Sequence, residues 1–388
     1  MEFQLTEEQK MLQKTIRAFV EKEGSKQLIQ HALKTKRHSP EVWRKLAELG
    51  VMGVSIPEEY GGNGGDLIDV AIVLEELTPI DPLVSPFFPS VCFGGKTISY
   101  LGTEQQKHAF LPKIASGELL FALSITEPDG GTDVLGAMKT FAEVDGEEFV
   151  INGAKAFTSF AQIADYIIVV ARTKKKEHVL KPSEGISVFL VPANTPGVTV
   201  NELDVLSPMG DTNMVYYDNV RIPKENLLGE LHKGFYQILD VLNVERIMGA
   251  AIGVGLAKAA YNLSLKYVKE RFAFGKPIGQ FQVIQHYLAD MVTEIELARL
   301  LTYKAAWLHS SGEACGLEAT MAKMYAGEIA VKTCDNAIQI HGGMGLVNGE
   351  GDISRFWRYA RLLKIAPISN EQAKNVIAEL KMGLPRSY

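Results

Sequence analysis

The chain has 388 residues, 46% of them hydrophobic and 22% charged, which is an ordinary globular balance and long enough for two or three domains. A formal charge of -6 without a long basic run excludes general attraction to nucleic acid, and Lys174, Lys175 and Lys176 read as a solvated loop. Cys92, Cys315 and Cys334 lack CxxC spacing and the histidines form no HExxH pair, so neither a disulfide framework nor a metal is expected. Glu7 and Glu8 stand where a secretory leader has basic and then apolar residues. No segment is apolar for long enough to span a bilayer, so the expected location is cytoplasmic.

Thr6 and Gln9 form a capping-box pattern, and Leu12, Ile16 and Phe19 continue on one face as a first amphipathic helix. Ser39-Pro40 opens a second, which runs through Val42, Trp43, Leu46 and Leu49 to a stop at Gly50. The glycine-rich loop at 61–65 has no strand before it and is a weak phosphate loop. A helix near 69–77 meets Pro79, Pro82, Pro86 and Pro89, which rule out an uninterrupted helix; the helical pattern resumes over 97–101 and 105–114.

From about residue 119 the segments 121–125, 149–151, 166–171, 187–191 and 214–217 are short and rich in β-branched and aromatic residues. Turns such as Asp145-Gly146 and Asn152-Gly153 separate them, which predicts a small antiparallel barrel or sandwich. After Gly234 the helical period returns. Phe281, Ile284, Leu288, Met291, Ile295, Ala298, Leu301, Ala305 and Leu308 mark the seam of a long bundle helix, and another over 317–340 stops at His341-Gly342-Gly343. The expected fold class is α+β and multidomain: an N-terminal α-helical domain (1–118), a middle antiparallel β-barrel domain (119–228) and a C-terminal four-helix bundle (229–388).

One carboxylate stands out within the first bundle helix. Phe235, Leu239, Leu242, Met248, Ile252 and Val254 recur at roughly helical spacing, and Glu245 shares the side of Val241, Leu242, Met248 and Gly249. Desolvation there raises a carboxyl pKa and makes a general base near neutral pH; an ion pair with Arg246 or a distant lysine is the structural alternative. The run from Thr126 to Asp133 follows an apolar strand with paired glycines and two threonine hydroxyls. It suits an anion or a polar ring edge, and equally a plain hairpin turn. Gly249, Gly253 and Gly255 lie inside a helix, so they form no dinucleotide fingerprint.

Several segments, in order, carry a family likeness. Ile125-Thr126-Glu127-Pro128 with Gly131-Thr132-Asp133, Asn152-Gly153-Ala154-Lys155, and Asp218-Asn219-Val220-Arg221-Ile222-Pro223 come first. Arg271-Phe272-Ala273-Phe274-Gly275-Lys276-Pro277-Ile278 and Gln339-Ile340-His341-Gly342-Gly343-Met344-Gly345 follow. Together they resemble the signature segments of the acyl-CoA dehydrogenases over nearly the whole chain. The resemblance implies FAD as cofactor, the three-domain acyl-CoA dehydrogenase fold, and a homo-oligomer, usually a tetramer. It also implies α,β-dehydrogenation of an acyl-CoA thioester to the 2-enoyl-CoA, with an electron-transferring flavoprotein as acceptor.

Carried over by position, Leu123, Thr126, Gly131 and Thr132 line the flavin, Phe157 stands where the family often has Trp beside the ring, and Ser159 meets its N5/O4 edge. Arg271, Phe274 and Gln282 match positions that grip the FAD of a neighbouring subunit, and Gln339, Gly342 and Gly343 run along the same cofactor. Ser369 and Glu371 keep positions near the FAD. Thr132, Asn243, Arg246 and Gly249 fall on the substrate side, although a purely structural role for Arg246 stays open.

One departure decides the base. Many members carry the catalytic glutamate in a Tyr-Glu-Gly-Thr segment, where this chain reads Ile365-Ala366-Pro367-Ile368, and proline takes no proton. The isovaleryl-CoA and long-chain types instead place it on the bundle helix just before an arginine, where Glu245-Arg246 falls. Glu245 is therefore expected to remove the α proton while flavin N5 accepts the β hydride. An enoyl thioester reductase, or an oxidase acting on a CoA or acyl-carrier-protein thioester, would look alike. The proline cluster at 79–89 and Gly249 point to a branched, cyclic or aryl acyl group rather than a long straight chain.

Overall fold

The computed structural model describes residues 4–206, 212–347 and 353–387. The N-terminal part begins with α1 (Glu7–Glu23), α2 (Lys26–Thr35), α3 (Pro40–Glu48) and α4 (Leu67–Leu77). Thr6 accepts the Gln9 N–H and Gln9 returns the bond, while Ser39 and Pro40 open α3 as the sequence indicates. The proline-rich stretch is broken but helical throughout. A 3-10 turn (Thr78–Ile80), α5 (Asp81–Val84), α6 (Phe87–Pro89) and a π-helical segment (Ser90–Lys96) lead into α7 (Thr97–Leu101) and α8 (Glu104–Ala115). Pro79 and Pro82 fall in first turns, where a missing N–H costs nothing.

The middle part holds β1 (Phe121–Ser124), the short α9 (Val134–Ala137), β2 (Phe141–Asp145), β3 (Glu148–Ser159), β4 (Tyr166–Arg172), β5 (Ile186–Pro192), β6 (Val198–Glu202), β7 (Thr212–Pro223) and β8 (Leu227–Leu228). The sheet runs β6-β7-β3-β2-β4-β5-β8 and does not close, and β1 pairs with β4 in parallel. The expected antiparallel barrel is therefore corrected to an open, mixed sheet. Alternation along short strands specifies a buried face but neither closure nor strand direction. β4 shows what takes the place of closure. Ile167, Val169 and Ala171 enter the sheet's own core, while Ile168 and Val170 join the large helical core, so this strand is covered on both faces.

The C-terminal part is α10 (Gly234–Glu270), a tight hairpin of β9 (Phe272–Ala273) and β10 (Lys276–Pro277), then α11 (Gln282–Ser310), α12 (Gly316–His341), α13 (Ile353–Leu362) and α14 (Asn370–Met382). α10, α11 and α12 pack on one another, α13 and α14 lie against α12, and α4 crosses onto α10 and α11. Leu239, expected on the apolar stripe, is at the surface, because Ile238 and Val241 carry the inward face of α10 there. Among the described residues no helix is long and apolar enough to cross a membrane.

Two glycines set how closely α10 is approached. A Cβ on Gly255 would stand 2.4 Å from Thr78 Oγ1 and 2.7 Å from the Glu75 carbonyl; one on Gly253 would stand 3.1 Å from the Ala326 carbonyl. Beside that crossing, Arg299 holds Glu75 with two bonds (2.7 and 3.1 Å), Tyr303 donates to it at 3.0 Å, and Lys258 bridges Glu75 and Glu76 at 2.7 and 2.6 Å. Burial pushes the Glu75 carboxyl up, but Lys258 and Arg299 outweigh it and hold the group below the usual range. Gly255→Ala is expected to cost about 1–3 kcal/mol despite the better helix propensity of alanine, because the new methyl meets backbone. Thermal unfolding of the variant and the wild type side by side measures it.

Candidate active site

The strand end that precedes the glycine-rich turn is locked from behind. Glu127, buried, accepts N–H bonds from Lys139 (2.7 Å) and Thr140 (2.9 Å), and Lys155 Nζ donates to it at 3.0 Å and to the Ile125 carbonyl at 2.9 Å. Burial lowers the Lys155 pKa to about 8, partly offset by Glu127. This buried pair explains the Glu127-Pro128 and Asn152-Gly153-Ala154-Lys155 segments without a catalytic role for either charge. The Thr126 carbonyl accepts the Ala156 N–H at 2.8 Å, which ties the turn to β3.

β3 is bulged between Lys155 and Thr158. At the bulge Phe157 takes φ 58, a left-handed conformation costly for a side chain of this size, and leaves its ring 62% exposed. Behind it a hydroxyl chain runs from Tyr217 to Ser124 (2.9 Å) and on to Thr158 (2.9 Å). Leu123, Thr126, Phe157 and Ser159 thus gather where β1 meets β3, with Gly131 and Thr132 exposed on the adjoining turn. An apolar ring displayed on strained backbone beside a firmly anchored turn fits a flat aromatic cofactor.

Glu245 lies across the π-helical segment from this patch. Phe121 of β1 donates its N–H to Ser90 Oγ at 3.4 Å and leaves no room for a Cβ at Gly94 (2.6 Å), while on the other side the Glu245 charge adds to burial in raising the Cys92 thiol pKa. Glu245 is half-buried on α10 and has no hydrogen bond or ion pair with any described residue. Burial raises its pKa to about 7, against the pull of Arg246 and Lys323. Both cations are engaged elsewhere. Arg246 donates to Asn243 Oδ1 at 2.7 Å; Lys323 donates to the Ile368 carbonyl and, at 3.2 Å, to Asn370 Oδ1.

Lys323 is a residue that sequence reasoning missed. It is fully buried on α12 and fastens the segment 364–370, whose Pro367 Cδ lies 3.4 Å from where a Cβ on Gly249 would be. Pro367 is therefore packed one helical turn from Glu245. The signal was a lone lysine on a face otherwise made of Ala319, Ala322, Ala326 and Ala330, all buried. Ser369 caps α14 through Gln372 N–H (3.1 Å), and Glu371, exposed in its first turn, raises the Lys323 pKa against the larger effect of burial.

The remaining expected residues gather at the other end of the bundle. Arg271 ends α10, Phe274 tops the hairpin at φ 51 with 96% of its surface exposed, and Gln282 opens α11. Gln339, Gly342 and Gly343 are exposed at the end of α12, and a Cβ on either glycine would meet nothing. His341 stacks on Tyr267 there, ring centroids 4.2 Å apart. Glu245 and Arg271 are 26 positions apart on one helix, roughly 39 Å at 1.5 Å per residue. Within one chain the two groups do not meet.

Three family models match the sequence in order: "Acyl-CoA dehydrogenase, N-terminal domain" over 6–118, "middle domain" over 122–220 and "C-terminal domain" over 232–381. The chain belongs to the acyl-CoA dehydrogenase family. It is 40% identical over 381 residues to the probable acyl-CoA dehydrogenase YngJ of Bacillus subtilis, covering 97% of this chain and 99% of that one. It is 34% identical over 378 residues to the caffeyl-CoA reductase–Etf complex subunit CarC of Acetobacterium woodii, covering 96% and 98%. The structure of a glutaryl-coenzyme A dehydrogenase with glutaryl-CoA superposes with a TM-score of 0.91 at 38% identity, covering 100% of this chain and 98% of that one. The acyl-CoA dehydrogenase family is FAD-dependent and acts on CH–CH bonds of acyl-CoA. Lys323→Met removes a positive charge that favours the Glu245 carboxylate, so the apparent pKa in the rate profile of this acyl-CoA dehydrogenase is expected to rise above about 7. A pH series of substrate-driven flavin bleaching reads that shift.

Proposed function

We propose that this acyl-CoA dehydrogenase oxidises the α,β bond of an acyl-CoA with Glu245 as the base. The observation that supports it best is a carboxylate on the apolar face of α10, raised to about 7 by burial and free of any direct cation among the described residues. FAD, when bound, supplies the acceptor for the β hydride. Glu245 takes the α proton onto its carboxylate, Arg246 is held by Asn243 for the thioester side, and Pro367 and the π-helical segment keep water from the base. Thr126, Thr132, Ser159 and the Phe157 ring orient the flavin, with Leu123 and Gly131 beside them and Ser369 and Glu371 near the same cofactor.

The set around Arg271, Phe274, Gln282, Gln339, Gly342 and Gly343 serves the FAD of a neighbouring subunit, because roughly 39 Å along α10 is too far for one cofactor to reach both groups. The working unit is therefore a homo-oligomer, a tetramer by family likeness. The electron acceptor is an electron-transferring flavoprotein, a reading supported by the name of the Acetobacterium relative. That name also favours a second reading, reduction of an enoyl thioester at the same site. Three free, buried cysteines suit a reducing, cytoplasmic setting. The acyl group is branched, cyclic or aryl.

A base must be ionised to act, so kcat/KM rises with pH and levels off above about pH 7. Glu245→Gln slows flavin bleaching by acyl-CoA about 10²–10⁴-fold while flavin content is kept. The folded pKa lies above the unfolded one, so stability falls as pH rises from the ordinary carboxyl range to about 7 and is level above it. The same variant therefore melts no lower than the wild type at pH 8. Bleaching at the wild-type rate would remove Glu245 from the mechanism; return of the oxidised flavin spectrum when enoyl-CoA is added to reduced enzyme, with no bleaching of oxidised enzyme by acyl-CoA, would favour the reductase. Phe274→Ser is expected to lower FAD content and leave the melting temperature of the FAD-free protein within about 1 °C, since an exposed ring contributes little to the chain's own core. Absorbance after gel filtration and a thermal scan check both.

A further inference from the structure

Glu245 stands where α10 passes from open to closed surroundings. Towards the N-terminus Leu239 and Asp240 are exposed, and Leu242, Asn243 and Arg246 partly so; from Ile247 to Ala257 every residue is buried. The π-helical segment that flanks the carboxylate is buried along its whole length. A thioester whose α carbon meets Glu245 therefore leaves its carrier on the Leu239 side and points its acyl end along α10 into the closed part.

Gly249 is the next position on the face of Glu245 and has no side chain to fill it. Pro367 fills it instead. Its Cδ and Cγ lie 3.4 and 3.9 Å from where a Cβ on Gly249 would be, and among the described residues no other atom outside the helix comes within 4 Å. Pro367 and Glu245 both keep part of their surface accessible.

The loop that carries Pro367 is fastened to α12. Lys323 holds the Ile368 carbonyl and, at 3.2 Å, Asn370 Oδ1; the Asn370 N–H closes the loop on the Lys364 carbonyl at 3.0 Å. Glu328 accepts the Asn370 amide at 2.9 Å and pairs with Lys364 at 2.8 Å. Further along α10, the void bordered by Asp81 and Ile252 measures about 10 Å³, room for one water and not for a methylene chain.

We propose that Pro367, packed on Gly249, ends the acyl pocket and sets chain length, so that this enzyme acts on short acyl groups of about four to six carbons, branched ones included. This rests on the acyl-thioester reading of Glu245 and narrows the compact acyl groups inferred above to short ones. Glu245 and Gly249 are four residues apart, about 6 Å along the axis, which accommodates roughly three or four carbons beyond the α carbon.

The test is a length series on the FAD-loaded protein: butanoyl-, 3-methylbutanoyl-, hexanoyl- and octanoyl-CoA. Perturbation of the flavin spectrum gives affinity, and anaerobic bleaching gives reaction. The wild type is expected to bleach with butanoyl- or 3-methylbutanoyl-CoA at a second-order rate about tenfold or more above that with octanoyl-CoA. Pro367→Ala removes the ring while the contacts of Lys323 and Asn370 stay, and is expected to raise the octanoyl-to-butanoyl ratio about tenfold or more in affinity and in rate. Pro367→Val keeps the bulk and is expected to keep the wild-type order. A wild type that favours octanoyl-CoA would overturn the proposal without any variant. So would an unchanged ratio in Pro367→Ala at full flavin content, the same gain in Pro367→Val, or no binding of any of the four. A length order in affinity without bleaching would leave the Pro367 limit standing and refute the dehydrogenation reading; bleaching without a length order would do the reverse.

Discussion

The desolvation of one carboxylate is the constraint around which this molecule is arranged. Glu245 keeps a pKa of about 7 only because the two cations nearest in effect are occupied, Arg246 by Asn243 and Lys323 by the segment that follows α13. A direct ion pair with either would stabilise the ionised form and return the group to the ordinary range. Without them, burial would leave the group protonated through neutral pH. The site is a balance between burial and two charges held at one remove, and the rigidity of α10 and α12 fixes that balance.

That rigidity comes from close helix approach and from a buried ionic cluster away from the chemistry. Gly255 lets α4 cross α10 at backbone contact, and Glu75 and Glu76 of α4 are bound from α10, α11 and α1 by Lys258, Arg299 and Arg17. Breaking one partner of such a cluster costs about 3–5 kcal/mol because it strands a buried charge. The N-terminal helices are thereby fixed on the bundle, and the π-helical segment that follows them is fixed between β1 and Glu245. The patch around Phe157 and the Glu245 carboxylate are thus set by the same crossing.

Local rules were legible in the sequence wherever a single element obeyed them. The Thr6 cap, the Ser39-Pro40 start, the period of α11 and the inward face of Glu245 all depend on neighbours within a few residues. α2 was not legible, since only Ile29 and Ala32 of its ten residues are buried. The open, mixed sheet was misread as a barrel because β1 finds β4 across more than forty residues, and no local pattern records that pairing. Phe157 was placed by likeness, but its positive φ, which displays the ring, follows from a bulge that the sequence does not mark. Lys323 was missed for a related reason: a buried lysine looks like a solvated one until its acceptors, the Ile368 carbonyl and Asn370, arrive from another helix.

The most direct test of Glu245 as base separates proton removal from electron transfer. FAD-loaded wild type and Glu245→Gln would be incubated with acyl-CoA in deuterated solvent, and deuterium entering at the α carbon followed by NMR. Exchange by the wild type that rises through about pD 7, and falls by two or more orders of magnitude in the variant while acyl-CoA still binds, is what this account predicts. Exchange at the wild-type rate in Glu245→Gln would contradict it and place the base elsewhere in the fold.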